Sequence, residues 1–279
     1  MITLRAPAKV NLGLRILGNR PDGFHDIRSI FCPVTLWDTV SVKLSPGKGI
    51  TLKSSGIPSP EGPDNIAWKA ADLFMAADGR SWAVSIGLHK RIPSPGGLGG
   101  GSSDAAAVLK ALARLTGSAV PLEPLALELG SDVPFFLGTG PALVEGRGER
   151  LTPVRVPFFH GVLVDSGEPV PTPWAYGLWD AADLTETGAT YDDSPLEMAQ
   201  WHEGKPYPAD LRNDFLPLLS SRLPGLERVC RALSSLTGDW GLSGSGPVVF
   251  ALFRTAAEAK RAVEVLGNSF TRVYAVEPT

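Results

Sequence analysis

Between Pro93 and Asp104 the chain reads Pro-Ser-Pro-Gly-Gly-Leu-Gly-Gly-Gly-Ser-Ser-Asp, with five glycines in positions 96–101. Glycine is entropically costly in a regular element, so such a run makes sense where the backbone must approach a ligand with no Cβ in the way. The segment leads straight into a helical pattern at 103–115, where Ala105, Val108, Leu109 and Leu112 recur at helical spacing and Gly117 stops it. A helix start offers unpaired N–H groups and the positive end of the dipole. Together these predict a cradle for an anion, phosphate above all. The bland alternative, a flexible linker, fits poorly with an abutting Ala-rich helix. No Gly-Lys-Ser/Thr follows, so the loop is not a Walker A motif, and Gly97-x-Gly99-x-x-Ser102 leaves the dinucleotide fingerprint incomplete.

Two further polar groups could serve phosphate chemistry. From Ala8 to Ile16 apolar residues alternate strictly with Lys9, Asn11, Gly13 and Arg15, which predicts a half-buried strand with Lys9 and Asn11 opposite its apolar face. A lysine there either faces water, holds a transferring phosphate, or keeps an acidic base ionised. Asp132 lies between Gly130 and Pro134 and reads as a loop aspartate, whose ordinary work is a turn or cap. Asp104, in the first helical turn, is explained as a dipole partner. His89, His160 and His202 form no constellation and read as structural or surface residues.

The elements that must position these groups are set by a chain of 279 residues, about two average domains or one large one. Lys plus Arg is 26 and Asp plus Glu 29, a net charge of −3, which argues against a general nucleic-acid binder but leaves room for a local basic pocket. A hydrophobic content of 43% excludes disorder. Cys32 and Cys230 fit neither a disulfide framework nor a zinc site and predict reduced thiols. The longest apolar run, 248–253, is too short to span a membrane, and the N-terminus lacks the order of a signal peptide. A cytoplasmic protein without membrane or nucleic-acid partners is expected.

Strands are predicted at 34–44 and 82–88 and a helix at 66–77 with Asp64 or Asn65 as cap. Pro153 and Pro157 flank a charged stretch, which suggests domains 1–155 and 156–279. The second half reads as a strand at 161–165, a loop-rich and mostly helical section, a strand at 248–253, a helix at 256–266 and a strand at 271–276. That order suggests an α+β, ferredoxin-like C-terminal domain.

A resemblance now enters. Pro95-Gly96-Gly97-Leu98-Gly99-Gly100-Gly101-Ser102-Ser103 resembles the second motif of the GHMP small-molecule kinases. Pro7-Ala8-Lys9-Val10-Asn11-Leu12 resembles their first motif, and Leu242-Ser243-Gly244-Ser245-Gly246-Pro247 their third, a turn that supports the ATP loop. The resemblance implies an α+β, two-domain GHMP-kinase fold with a ribosomal-protein-S5-like, ATP-binding N-terminal domain. It implies ATP as co-substrate and Mg2+ held largely by ATP phosphates and water, consistent with the lack of an acidic metal cage. It makes Lys9 the catalytic lysine and Asp132 the general base. ATP would be held by Pro93, Ser94, Pro95, Gly96, Gly97, Leu98, Gly99, Gly100, Gly101, Ser102 and Ser103, with Asn65 near adenine.

Within the family, segments 18–25, 130–136 and 145–149 resemble the branch that phosphorylates the 2-hydroxyl of 4-diphosphocytidyl-2-C-methyl-D-erythritol in non-mevalonate isoprenoid precursor synthesis. Phe24 and His25 match that branch's cytidine-binding pair, one stacking on the base and the other reading its edge. Asn11 matches a residue near the acceptor and its phosphates. Tyr176 or Trp174 would complete the aromatic sandwich. Pro95 stands where a glycine is usual, and Phe24 where tyrosine is common. The expected partner is thus a small cytidine diphosphate-alcohol, with a homodimer left open. A homoserine or mevalonate type of GHMP kinase is the rival enzyme, opposed by residues 22–25. A catalytically silent nucleotide-binding module is the rival from another class, opposed by the joint presence of Lys9 and Asp132.

Overall fold

Ala8, Val10, Leu12, Leu14 and Ile16 are all buried in a computed structural model that describes residues 1–182 and 211–279. The strand they define, β1 (Ile2–Asn19), is longer than its alternating core predicts, and its other face is closed too, since Lys9 and Asn11 are buried. The half-buried expectation is corrected: polar alternation here marks groups with internal partners, not solvent exposure. β1 pairs with β2 (His25–Pro46). The chain then forms β3 (Gly49–Gly56), α1 (Ile66–Asp78), β4 (Trp82–Lys90), α2 (Gly100–Thr116), α3 (Leu122–Leu129), β5 (Ala142–Gly146) and β6 (Arg150–Pro153). After these come β7 (His160–Asp165), α4 (Thr172–Ala181), α5 (Leu216–Ser220), α6 (Pro224–Ser234), β8 (Trp240–Leu242), β9 (Val248–Phe253), α7 (Ala256–Gly267) and β10 (Val273–Val276).

Contacts divide the chain into two compact units that interleave in sequence: Met1–Lys9, Leu36–Ser94 and Gly99–Thr139 in the first, and Val10–Thr35, Pro95–Leu98 and Gly140–Thr279 in the second. The sequence suggested one crossing near residue 155. The long strands β1 and β2 each contribute to both units, which a single cut does not capture.

In the first unit β4 runs antiparallel to β2 from Thr39 opposite His89 to Pro46 opposite Trp82, and parallel to β3. The link from β3 to β4 is α1, as a parallel pair requires. Asn65 caps α1 by accepting from the Ala67 N–H at 2.9 Å. α1 packs on α2 and α3. The Ala-rich α2 buries Ala105, Val108, Leu109, Ala111 and Leu112, because small side chains let neighbouring elements approach.

In the second unit the first half of β2 pairs with β5, and β5 with β6. A separate four-stranded antiparallel sheet has the order β10-β7-β9-β8, which is the ferredoxin-like order expected. β9 is apolar and buried at all six positions, with α6 and α7 packed against it. α7 opens on a complete capping box between Thr255 and Glu258. Among the described residues no helix is long and apolar enough to cross a membrane.

Candidate active site

α2 begins at Gly100, earlier than its apolar spacing suggested, because Gly99 takes the left-handed conformation (φ 70°) and no side chain caps the helix. The N–H groups of the first turn are therefore left for a ligand. A Cβ on Gly99 would lie 2.8 Å from the Phe136 ring and 3.3 Å from Lys9 Cγ, so the bare backbone here is enforced by packing as well as by φ. The Ser103 hydroxyl, and Asp104 Oδ1 just past the first turn, are buried without a hydrogen-bond partner. Of the loop residues, Pro93 and Leu98 are buried apolar anchors, whereas Ser94 and Pro95 are exposed.

In the second unit, Gly97 (φ 66°) sits against the segment that resembles the third motif: a Cβ there would meet the Ser243 carbonyl oxygen at 2.0 Å. Ser243 Oγ donates to the Gly97 carbonyl at 3.0 Å. Asn213, which the sequence did not single out, holds the same turn by donating to the carbonyls of Leu242 and Gly244 at 2.9 and 2.8 Å. Asn11 is fully buried; its amide donates to Ser29 Oγ at 2.9 Å and its Oδ1 accepts from Ser243 at 3.4 Å. The structure therefore ties Asn11 to the turn beneath Gly97 and gives it no exposed surface.

Lys9 and Asp132 are brought together in the first unit, with Nζ 3.8 Å from Oδ2. Lys9 does not face water: its side chain is 3% exposed, against 31% for Asp132. Burial draws the lysine pKa below its ordinary value, and the Asp132 carboxylate opposes that shift. Asp132 stands in a turn closed by Val133 N–H to the Gly130 carbonyl at 3.1 Å, and the following Pro134–Leu137 turn is secured by Lys110 Nζ on the Phe136 carbonyl at 2.8 Å.

The expected cytidine residues all lie in the second unit, where His25 and Tyr176 are in contact and Phe24 has Arg147 as its ring partner. Phe24 is 44% exposed, and the Arg147 guanidinium lies 4.7 Å from its ring centroid. The turn before it is built by Arg20, which pairs with Asp22 and Asp26, and by the Phe24 N–H on Asp22 at 3.2 Å. His25 stacks on Tyr176 at 4.4 Å, meets Trp179 edge-on, and places Nε2 2.8 Å from Asp180. Tyr176, not Trp174, is thus the aromatic brought to His25; Trp174 is half exposed on the same helix. Arg147 entered the sequence reading only as part of segment 145–149, with no role, and Asp180 not at all, because nothing in their local spacing announces a partner so far along the chain.

Asn65 is placed at the start of α1, with its carboxamide engaged at both ends, by Ala67 N–H and by the Pro60 carbonyl at 2.8 Å. His89 pairs with Ser55 and His160 with Glu277, both structural contacts; His202 lies outside the described residues. Burial pushes the thiol of Cys32 up to about 12 and that of Cys230 to about 11, so neither is a ready nucleophile. Among the described residues no group of three or more His, Cys, Asp or Glu side chains is disposed to hold a metal ion.

Comparison with known proteins identifies the family. The family described as "GHMP kinases N terminal domain" matches residues 65–140, and "GHMP kinases C terminal" matches 209–272. The chain is 42% identical over 267 residues to a 4-diphosphocytidyl-2-C-methyl-D-erythritol kinase of Anaeromyxobacter dehalogenans, covering 94% of this chain and 83% of that one. It is 40% identical over 272 residues to the protein of that name from Geobacter sulfurreducens, covering 95% and 94%. A crystal structure of 4-(cytidine 5'-diphospho)-2C-methyl-D-erythritol kinase superposes with a TM-score of 0.83 at 36% identity over the full length of both chains. A homoserine kinase from Cytophaga hutchinsonii shares the fold, with a TM-score of 0.68 at 20% identity, covering 100% of this chain and 94% of that one. With motifs in order, matching domains and relatives this close along nearly its whole length, the chain belongs to the GHMP kinases.

Proposed function

We propose that this chain transfers the γ-phosphoryl group of ATP to the 2-hydroxyl of 4-diphosphocytidyl-2-C-methyl-D-erythritol, a step in non-mevalonate isoprenoid precursor synthesis. The observation that carries the reading is local to the first unit: Lys9, paired with Asp132, lies beside Gly99 at the uncapped start of α2. A carboxylate and the lysine paired with it therefore stand next to an anion cradle.

In this reading Asp132 takes the proton of the acceptor hydroxyl as its oxygen bonds to the γ-phosphorus. The bond to the bridging oxygen of ADP breaks, and ADP leaves. Lys9 orients Asp132 through their ion pair and offsets charge on the transferring group. The N–H groups opening α2 hold phosphate oxygens, and Asn11, through Ser243, steadies Gly97. Asn65 borders the adenine. Phe24 stacks on cytosine and His25 reads its edge, with Tyr176 packed on the imidazole. The unpartnered Ser103 hydroxyl suits a magnesium ion arriving on the nucleotide, which when bound would neutralise phosphate charge.

The test is a coupled ADP-release assay across acceptor alcohols. The cytidine diphosphate-alcohol should be preferred over homoserine and mevalonate by about 10⁴-fold or more in kcat/KM, the scale on which unmet polar contacts discriminate. Equal turnover of homoserine or mevalonate would move the assignment to another branch. ATP binding without ADP release from any acceptor would favour a silent module.

A further inference from the structure

The glycine loop leaves β4 and enters α2, and a buried ionic cluster joins these two ends inside the first unit. Lys90 closes β4, Asp38 lies on β2 and Asp104 just past the first turn of α2; they are 4%, 0% and 2% exposed. The Lys90 ammonium reaches Oδ2 of both Asp38 and Asp104. Asp38 Oδ1 also accepts from the backbone N–H groups of Arg91 and Ile92, at 2.5 and 2.9 Å, just where the chain heads into the loop.

Two acids share one cation, so ionising both would leave a surplus negative charge in the interior. Burial above all pushes the Asp104 carboxyl up to about 7, with Lys90 pulling it down and Asp38 pushing further. Burial draws Lys90 down, but the two carboxylates more than offset this and raise it. Buried ion pairs are weak sources of stability, because desolvation offsets their attraction. A need for stability alone therefore does not account for the cluster; its connectivity does. Every tie runs to a segment that fixes where the loop begins or where α2 starts.

We propose that Lys90, Asp38 and Asp104 are positioning residues for nucleotide binding: they clamp the two ends of the glycine loop so that the opening N–H groups of α2 are set before phosphate arrives. The inference rests on the ATP reading of that loop. Preorganisation of this kind lowers the ordering cost of binding, so its loss should be read in ATP affinity.

Three variants test it. Asp38→Asn replaces one carboxylate oxygen by an amide nitrogen, so it must give up either Lys90 or the Arg91 and Ile92 N–H groups. Asp104→Ala cuts the tie to α2, while Asp104→Asn keeps an oxygen for Lys90 to reach. Calorimetry with ATP, steady-state kinetics and thermal melts should be run on each. Asp38→Asn and Asp104→Ala should raise ATP Kd and KM about tenfold with acceptor KM little changed, and Asp104→Asn should return both to within about threefold of wild type. If Asp104→Ala does not fold, Asp38→Asn beside Asp104→Asn gives the same contrast. A merely structural cluster would lower the melting temperature and the active fraction and leave ATP KM unchanged, which overturns the clamp. Equal ATP KM in Asp104→Asn and Asp104→Ala overturns it too. Wild-type protein that binds no ATP would sink the nucleotide reading together with the clamp, whereas tight wild-type binding with unaltered variants sinks the clamp alone.

Discussion

Lys9 Nζ lies 3.8 Å from Asp132 Oδ2, the lysine buried and the aspartate open on one side. The pair is thus asymmetric. The cation is fixed in the interior, and the carboxylate stands at the surface where a hydroxyl can approach. Asp132→Asn preserves the shape and removes the proton acceptor. General-base assistance is worth about 10²–10⁴ in rate, so kcat should fall by that factor while ATP KM stays near wild type. Steady-state kinetics checks this, and a variant keeping more than about a tenth of wild-type kcat would remove Asp132 from the role.

Asp104 makes a prediction about stability. Its carboxyl has an ordinary value of 3.8 and is raised to about 7 in the folded protein, chiefly by burial. Between those values the unfolded chain releases a proton that the folded chain retains, so rising pH disfavours folding. The loss begins near the unfolded value and is complete above the folded one. Asp104→Asn has no such titration. The melting temperature of the variant relative to wild type should therefore climb as pH goes from about 4 to about 7, then level off. A gap that stays constant across that window would show that Asp104 is not held protonated by the fold.

What the sequence revealed, and what it concealed, follows from the range of the interactions. The glycine run and α2 were legible because glycine clustering and helical spacing are local, and β9 because six consecutive apolar residues need a core on both sides. Strand β3 was missed: in Gly49–Gly56 the apolar alternation is confined to Ile50 and Leu52, too short a signal among glycines and serines to mark a strand. Lys9 and Asn11 looked like an outward face, because the partners that close over them, Asp132 and Ser243, lie far along the chain. The same holds for Lys90 with Asp38 and for His25 with Asp180, pairs joined only by tertiary packing.

The two aromatics of α4 can be separated. Tyr176 stacks on His25 and meets Phe215 edge-on at 4.9 Å, while Trp174 is 39% exposed. Tyr176→Ala frees the imidazole that reads the base in the proposed function and should raise acceptor KM by roughly 2- to 12-fold, the range of one aromatic pair worth about 0.5–1.5 kcal/mol. Trp174→Ala should change it less than about twofold, as expected for a substitution away from a contact. The reverse ranking in acceptor KM would hand the role to Trp174.

Phe24 bears most directly on substrate choice. At 44% exposure the ring is not a core residue, and Arg147 covers it at 4.7 Å, a cation–π contact worth about 0.5–1 kcal/mol at an exposed site. Phe24→Ala should therefore cost about that much stability, far below the 3–5 kcal/mol or so of a buried phenylalanine. A ring stacked on cytosine touches a part of the substrate remote from the reacting hydroxyl. Its loss, about 1–3 kcal/mol, should weaken acceptor binding roughly 5- to 150-fold and be read mainly in KM, since stacking is much the same in ground and transition states. A smaller loss in kcat follows if the hydroxyl is also less well aligned. ATP KM should hardly move, and Phe24→Tyr, which keeps the ring at an exposed position, should be nearly silent in both melting temperature and kinetics. Melts and acceptor titrations on the two variants decide the matter: a stable Phe24→Ala protein with wild-type acceptor KM would take the ring out of the site, and with it the strongest local reason for preferring a cytidine substrate over those of the other GHMP kinases.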